Sequence, residues 1–439
     1  MVYFTGRVLI SDLIQTMYDN INSTGLWQMT KIPKGLTYKN GGNGVEVIDN
    51  IKTQVISQSN GNGSYYAYLA FAKDYSTGFM VYASYPPGHL YSYIIYDFGI
   101  TNDASAIPQQ KVVDMYSIRT WWDDENRINT YTGTPTGWTL YGSNDNSTFT
   151  QLHKVAGQTG WTYGERRFFR FINTTAYRYY KLTIDTTSDG TFGRLSQIEF
   201  YNSSDTTTGG FFLKSSGSSN TDDINLYINS LNTHCTTGNM LEIGTMTSFN
   251  PSTLVSTDFM GNLHSLTATM SALNYTKNVY VTYHIDVTKD RIFFNTSLDQ
   301  NANSATSSCC YLGLMKRHSL ETDSTAVTTL AGVLGTNVTN PIYVLRDKAR
   351  TPYKKYTQKT ITPTYSPSIW GNQVFVSPIF LEGDYEGIRG ELDGVYTSLG
   401  TNLVDQDEII IGNVRYKVFV MGAQTYTSFP NKVAIIKLP

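Results

Sequence analysis

The feature that most narrows the fold is a rhythm of short apolar or alternating runs separated by turn clusters. Between residues 45 and 202 these runs recur roughly every 8 to 12 residues, which is the spacing of strands in an antiparallel sandwich. Tyrosine supplies 33 of the 439 residues, and Tyr and Thr both suit a pleated, half-buried surface. The sequence therefore predicts an all-β protein built around an antiparallel β-sandwich.

One helix is predicted near the N-terminus. Its apolar or aromatic side chains fall on one face at helical spacing: Leu13, Ile14, Met17, Tyr18 and Ile21. Ser11 and Asp12 are suited to cap the first turn, and Gly25 is suited to end the helix. Because a helix of this length is marginal alone in water, we expect its apolar face to pack against another part of the protein.

The chain divides into three segments. Residues 1–44 are too short to form a core, so we expect them to fold with residues 210–439, with the sandwich of residues 45–204 inserted between them. The intervening stretch is rich in Ser, Thr and Gly, as linkers are. We predict that residues 210–439 form a second, mainly-β domain or domains.

Strand patterns recur in the C-terminal segment. A two-residue turn, Lys289-Asp290, joins two alternating runs and predicts a hairpin. Residues 408–411, 416–420 and 433–438 predict the closing strands. Adjacent cysteines such as Cys309 and Cys310 rarely bond to each other, so we expect buried free thiols.

Charge and motif content exclude several functional classes. A net charge of -2 gives no general attraction to nucleic acid, and the basic run 346–359 fits a solvated loop or a docking strip better than a nucleic-acid contact. No apolar window is long enough for membrane insertion. The sequence has no glycine-rich phosphate loop, nucleophile elbow or zinc-site spacing. We therefore predict a protein that is not an enzyme, with no catalytic residue, metal or cofactor.

Two polar clusters allow a functional alternative. His284 and Asp286 lie at period two, which fits an outward-facing polar sheet face better than an acid–base pair. Glu382, Asp384 and Glu386 fit a solvated acidic turn better than a cation site, because no carbonyl or amide ligands stand at fixed spacing.

Four ordered elements of the middle segment carry a family resemblance: residues 93–99, 112–119, 137–149, and 176–184 followed by 195–201. The third, Gly-Trp-Thr-Leu-Tyr-Gly-Ser-Asn-Asp, is the most distinctive. The segment resembles the discoidin, or coagulation-factor 5/8 type C, family of the galactose-binding-like superfamily. Phe149 and Lys181 depart from that pattern, where the family has Trp and Arg. We expect Trp138 and Leu140 to be buried, because they point the same way along one strand.

The resemblance implies a sandwich whose loops at one end bind glycans in the members that do so. The residues that would form a glycan or docking site in these loops are Arg119, Trp121, Trp122, Asp123, Trp161, Tyr163 and Arg166. The alternative is that Trp121 or Trp161 plugs the end of the sandwich or packs on a neighbouring domain or subunit.

The flanking segments resemble phage virion structural proteins at residues 311–317, 387–396 and 416–420. No signal peptide is predicted, although the composition is that of a surface protein. We predict a bacteriophage virion structural protein, a tail, baseplate or appendage subunit assembled in the host cytoplasm. Its expected partners are other virion proteins, further copies of itself and a cell-surface glycan. The alternatives are a stand-alone carbohydrate-binding adhesin and a capsid-decoration or collar protein.

Overall fold

The structure is a computed structural model that describes a defined set of residues. These are residues 1–37, 45–48, 51–57, 70–71, 79–82, 92–101, 109–120, 133–161, 165–190, 192–220, 223–230, 240–257, 259–265, 280–298, 307–318, 329–334, 341–344, 354–360, 369–370, 373–374, 376–383, 387–399, 403, 405–421 and 432–439.

The described residues are almost entirely β, with one α-helix. The N-terminal elements are β1 (Val2–Leu9), a 3-10 turn (Ile10–Asp12), α1 (Leu13–Ser23) and β2 (Gln28–Pro33). The sandwich segment contains β3 (Val45–Ile48), β4 (Ile51–Ser57), β5 (Phe79–Tyr82), β6 (Ser92–Thr101), β7 (Lys111–Val112), β8 (Met115–Arg119), β9 (Pro135–Ser143), β10 (Thr150–Val155), β11 (Arg166–Arg170), β12 (Ala176–Tyr177), β13 (Tyr179–Thr187), β14 (Phe192–Leu195) and β15 (Gln197–Tyr201).

The remaining strands follow without a helix among the described residues. They are β16 (Thr208–Ser215), β17 (Ile224–Ser230), β18 (Met240–Met246), β19 (Ser248–Phe249), β20 (Ser256–Thr257), β21 (Met260–Ser265), β22 (Tyr280–Val287), β23 (Arg291–Leu298), β24 (Ser307–Arg317), β25 (Thr329–Leu334), β26 (Pro341–Val344), β27 (Lys354–Thr360), β28 (Ile369–Trp370), β29 (Gln373–Val374), β30 (Ser377–Gly383), β31 (Gly387–Leu399), β32 (Glu408–Ile411), β33 (Val414–Met421) and β34 (Lys432–Lys437).

The predicted helix is confirmed, with one correction at its start. Its apolar side chains are buried against later strands, and Tyr18 packs half-buried beside them. The helix ends at Ser23, and Gly25 follows in the left-handed region with φ of +64°. The predicted side-chain cap was wrong, because neither Ser11 nor Asp12 caps the first turn; the Ser11 hydroxyl donates to the Asp12 carboxylate instead.

The N-terminal segment completes sheets that are formed by much later residues. β1, which the sequence reading missed, runs antiparallel along β22, and β2 runs antiparallel along β16. The helix between them packs on β16, β1 and β22. The sandwich is thus inserted into a second mainly-β region, and the predicted fold class is confirmed. The boundaries 1–44, 45–204 and 210–439 stay predictions.

The sandwich is built from two antiparallel sheets that enclose one core. Its larger sheet has the strand order β10-β9-β13-β6-β4-β3, and its smaller sheet has the order β11-β8-β15. Trp138 and Leu140 are fully buried between the sheets, as predicted. The Trp138 indole Nε1 donates a hydrogen bond of 2.7 Å to the Tyr116 hydroxyl, so the large ring is buried with its polar atom satisfied.

A five-stranded sheet with the order β2-β16-β17-β18-β21 lies against the smaller sheet of the sandwich. Its other face packs on α1 and on a twelve-stranded sheet of order β1-β22-β23-β24-β25-β26-β27-β30-β31-β34-β33-β32. Strands β8, β15, β16 and β17 are buried at nearly every position. This burial follows because both faces of these strands are covered by another layer.

The C-terminal predictions are largely confirmed. Thr288 N donates to Arg291 O at 2.9 Å, which closes the predicted two-residue turn, and the closing strands are β32, β33 and β34. Cys309 and Cys310 are buried free thiols, whereas Cys235 lies outside the described residues. The basic run 346–359 was expected to be a solvated loop or a docking strip; its described part lies within β27, which corrects the loop and leaves the docking strip a prediction.

Candidate functional site

Arg119 and Arg166, two of the predicted loop residues, meet a single carboxylate from the second region of the chain. They lie opposite each other on β8 and β11 and point away from the sandwich core. Arg119 Nε is 2.9 Å from Oε1 of Glu242, and Arg166 Nε is 2.7 Å from Oε2. The exposed fractions of the three side chains are 1%, 2% and 0%. This cluster is called the Glu242 triad below.

Neighbouring polar groups complete the Glu242 triad. The Tyr227 hydroxyl donates to Glu242 Oε2 at 3.0 Å. The guanidinium groups also donate to side chains of the sandwich: Arg119 to Ser196, which precedes β15, and Arg166 to Ser117 and Gln197 of the smaller sheet. Buried charges are tolerated when they are paired and hydrogen-bonded in this way. The triad therefore links the sandwich to the five-stranded sheet through a defined geometry.

Electrostatics keep the triad charged. Burial alone would raise the pKa of Glu242, but the positive charges of Arg166 and Arg119 outweigh it and hold that pKa below its usual value of 4.5. The pKa of Tyr227 is raised well above its usual value, first by burial and then by the Glu242 charge, so its hydroxyl remains a donor. The carboxylate thus stays ionised at neutral pH.

Apolar side chains fill the rest of this interface. Met115, Phe168 and Tyr201 of the smaller sandwich sheet pack against Phe212 and Tyr227 of the five-stranded sheet. The centroid of the Phe168 ring lies 5.8 Å from that of Tyr201 and 6.0 Å from that of Phe212. The smaller sheet of the sandwich is therefore an internal layer of the molecule.

Trp161 lies apart from the Glu242 triad and is 8% exposed. Its Nε1 donates to Pro135 O at 3.1 Å, and the Arg167 guanidinium lies 4.0 Å from its ring centroid. Arg167 in turn pairs with Glu165 at 2.7 Å. This arrangement fits the alternative in which Trp161 plugs the end of the sandwich.

Four of the seven predicted site residues, Trp121, Trp122, Asp123 and Tyr163, lie outside the described residues. Of the other three, the structure brings Arg119 and Arg166 together on Glu242, and it buries Trp161 separately. Neither arginine presents its guanidinium to solvent. The predicted glycan or docking site made from all seven residues stays a prediction.

The outer face of the six-stranded sheet holds a cluster that the sequence reading did not assign to a function. Lys181 Nζ lies 4.0 Å from the ring centroid of Phe149, 4.9 Å from that of Tyr141 and 5.6 Å from that of Tyr93. All four side chains are half-buried. Burial lowers the pKa of Lys181, and no carboxylate of the described residues acts against that shift. We call these four residues the Lys181 cluster.

A neighbouring cation on the same sheet has a different environment. Arg178 donates to both carboxylate oxygens of Asp97, at 2.7 and 2.8 Å. The Arg178 charge is therefore neutralised within the protein, whereas the Lys181 ammonium faces aromatic rings. Leu182 points into the core, so alternation along β13 places Lys181 on the outer face of the sheet. This alternation was the signal in the sequence that could have identified Lys181.

His284 and Asp286 do not lie on a solvent face, and that interpretation was wrong. They are 4% and 0% exposed, because the twelve-stranded sheet folds back on itself through β24 pairing with β31 and β33. The Arg291 guanidinium lies 2.6 Å from Asp286, and the Tyr3 hydroxyl lies 2.5 Å from His284 Nδ1. His284 and Asp286 can therefore be buried, because each side chain has a polar partner.

The described ranges contain no group of three or more His, Cys, Asp or Glu side chains that could hold a metal ion. Of the predicted acidic turn, Glu382 lies in β30, and Asp384 and Glu386 fall outside those ranges. Over the same ranges, no helix has the length and apolar character needed to span a membrane.

Solved structures similar to part of the chain include carbohydrate-binding modules. A family 32 module from Clostridium perfringens in complex with GalNAc-β-1,3-galactose has 15% identity and a TM-score of 0.26, covering 34% of this chain and 95% of its own. Another from the same organism, in complex with galactose, has 14% identity and a TM-score of 0.26, covering 40% and 100%. Chitosan-binding module 1 of a Paenibacillus sp. IK-5 chitosanase/glucanase has 14% identity and a TM-score of 0.26, covering 36% and 100%.

No protein-family model matches the chain, and no curated protein matches it. At TM-scores of 0.26 the likeness to solved structures does not decide what the chain binds. The antiparallel sandwich is established by the chain's own sheets and core.

Proposed function

We propose that the protein is a non-enzymatic structural subunit of a bacteriophage virion, assembled in the host cytoplasm as part of a tail, baseplate or other appendage. In this role its β-sandwich is displayed for docking to neighbouring subunits or for adhesion to a host-surface glycan. The observation that carries the proposal is the buried interface between the sandwich and the five-stranded sheet, centred on the Glu242 triad.

A display role requires that the displayed domain keeps one orientation. A flexible linker alone would let the sandwich rotate, and domains joined by small polar interfaces move relative to each other by default. Here aromatic packing and two charge-assisted contacts to one carboxylate fix the direction of the smaller sheet. Copies held in one orientation on a particle can engage several surface groups together, so weak single contacts add up to useful avidity.

The structural role is tested by quantitative mass spectrometry of purified particles. We expect the protein in intact virions at a copy number that matches a symmetry of the tail or baseplate, and a capsid-decoration role would give a much higher copy number. Absence from intact particles would refute the virion assignment. Release of reducing sugar from host polysaccharide by the purified protein would refute the non-enzymatic assignment.

The adhesion role is tested separately with the full chain on a glycan array. The matched variants are Trp122→Ala, which alters a predicted loop residue, and Ile172→Ala, which truncates a side chain that is 97% exposed. If the predicted loops bind glycan, binding falls in the first variant and is unchanged in the second. If both variants and the parent chain bind glycan equally, the glycan site does not depend on Trp122.

A further inference from the structure

The Lys181 cluster holds a cation that pairs with no carboxylate among the described residues. Lys181 lies opposite Tyr141 of β9 and Ile95 of β6, in the middle of the six-stranded sheet. Its ammonium contacts the three rings of the cluster. Cation–π contacts stabilise such a charge without neutralising it, so the ammonium can still pair with an anion from solvent.

The sheet around Lys181 also offers surface for the uncharged part of a ligand. Tyr93, Tyr141 and Phe149 remain half-exposed, and Tyr179 stands on the same face beside them. Aromatic rings next to polar groups are typical of surfaces that recognise ligands with both an apolar face and hydrogen-bonding groups. Saccharides combine a C–H face with hydroxyl groups, and acidic saccharides add a carboxylate that can pair with the Lys181 ammonium.

We propose that the outer face of the six-stranded sheet binds an acidic saccharide, with a sugar carboxylate on the Lys181 ammonium and the sugar ring against Tyr141 and Phe149. This site rests on the proposed adhesion function and specifies its ligand class. It consists of other residues than the predicted loop site. The ammonium selects for acidic over neutral sugars, because a neutral sugar cannot form an ion pair with it.

The experiment is calorimetric titration of the full chain with tri-galacturonic acid and with its methyl ester, which keeps the sugar and removes the charge. We expect the parent chain to bind the acid at least about tenfold more tightly than the ester, with an affinity that weakens as salt is added. Lys181→Gln should weaken binding of the acid by a similar factor, and Lys181→Arg should retain most of it.

Lys154→Gln is the matched control, because Lys154 is an exposed lysine on β10, an edge strand of the same sheet that β9 separates from β13. It removes the same charge outside the Lys181 cluster, so we expect unchanged binding. Circular dichroism of each variant checks that the sheet is intact. Equal loss in Lys154→Gln would overturn the site, since the effect would then be a general one of net charge.

Two further outcomes separate this site from the proposed function. Glycan binding that survives in Lys181→Gln overturns the site and leaves adhesion standing. Binding of hexaglutamate as tightly as tri-galacturonic acid also overturns it, because the surface would then recognise an acidic protein segment. If no glycan of any charge binds the parent chain, both the site and the adhesion role fail, and the virion structural role is decided independently by mass spectrometry.

Discussion

Glu242→Ala should destabilise the protein far more than the loss of an exposed carboxylate. The substitution removes one carboxylate that lies 2.9 Å from Arg119 and 2.7 Å from Arg166, and it leaves both guanidinium groups buried. Removing one partner of a buried ion pair costs about 3–5 kcal/mol, because the remaining charge is no longer compensated. Two arginines depend on Glu242, so we expect a loss at or above the upper end of that range.

Chemical denaturation followed by tryptophan fluorescence measures this loss. The matched control is Glu408→Ala, because the ion pair between Glu408 and Arg415 is roughly half-exposed, with side-chain exposures of 46% and 57%. Exposed pairs contribute about 0–1 kcal/mol. Since Glu242 bridges the sandwich and the five-stranded sheet, its loss should also split the unfolding curve into two transitions. Equal destabilisation by the two substitutions would refute the reasoning.

A triple substitution separates the cost of an uncompensated charge from the value of the triad itself. Replacing Arg119 and Arg166 by Met and Glu242 by Leu removes all three charges and keeps the volume similar. Apolar replacement of buried ion pairs is often neutral or stabilising by about 1–4 kcal/mol. We therefore expect the triple variant to recover most of the stability lost in Glu242→Ala, and a triple variant as unstable as the single one would contradict this account.

Three further outcomes are expected. Trp138→Ala should cost about 3–5 kcal/mol by denaturation, since the ring is fully buried, whereas Ile172→Ala should change stability by less than about 0.5 kcal/mol. Burial and the Lys417 charge lower the pKa of His284 from 6.5 to about 4, so His284 is protonated at a higher pH in the unfolded chain than in the folded one. The free energy of unfolding should therefore fall by up to about 3 kcal/mol as the pH drops from 6.5 to 4. His284→Gln should make the free energy of unfolding less dependent on pH over this range. Gly313→Ala should lower the melting temperature markedly, because φ there is +143° and a Cβ would lie 2.3 Å from a backbone oxygen.

Local patterns predicted the strands, the helix and the buried plug of the sandwich. The alternation of short apolar runs with turn clusters predicted the strands, and the 3.6-residue spacing of apolar side chains predicted the helix. The position of Trp138 beside Leu140 on one strand face predicted the core. These features depend on residues close in sequence, which is why a single sequence reveals them.

Contacts between layers could not be predicted in the same way. Arg119 and Arg166 look like loop cations, and nothing near them in sequence indicates that Glu242 lies opposite. Likewise, alternation along a strand does not distinguish a polar face toward solvent from a polar cluster between sheets, so His284 and Asp286 were misassigned. One signal was available: Glu242 is a lone acid in the apolar run 240–246, where a buried partner is the usual explanation.

The pairing of β1 with β22 has a consequence for how the chain folds during synthesis. Tyr3 contacts His284, which is made 281 positions later. At 5–20 residues per second, a ribosome needs about 15 to 55 seconds to cover that distance. The strands β16 and β22, on which α1 packs, are made after the sandwich segment, and β1 pairs with β22 only once β22 has been made. Pairing of β1 with β22 is therefore a late step of folding on the ribosome, and a chaperone that shields α1 until then would raise the yield of folded protein.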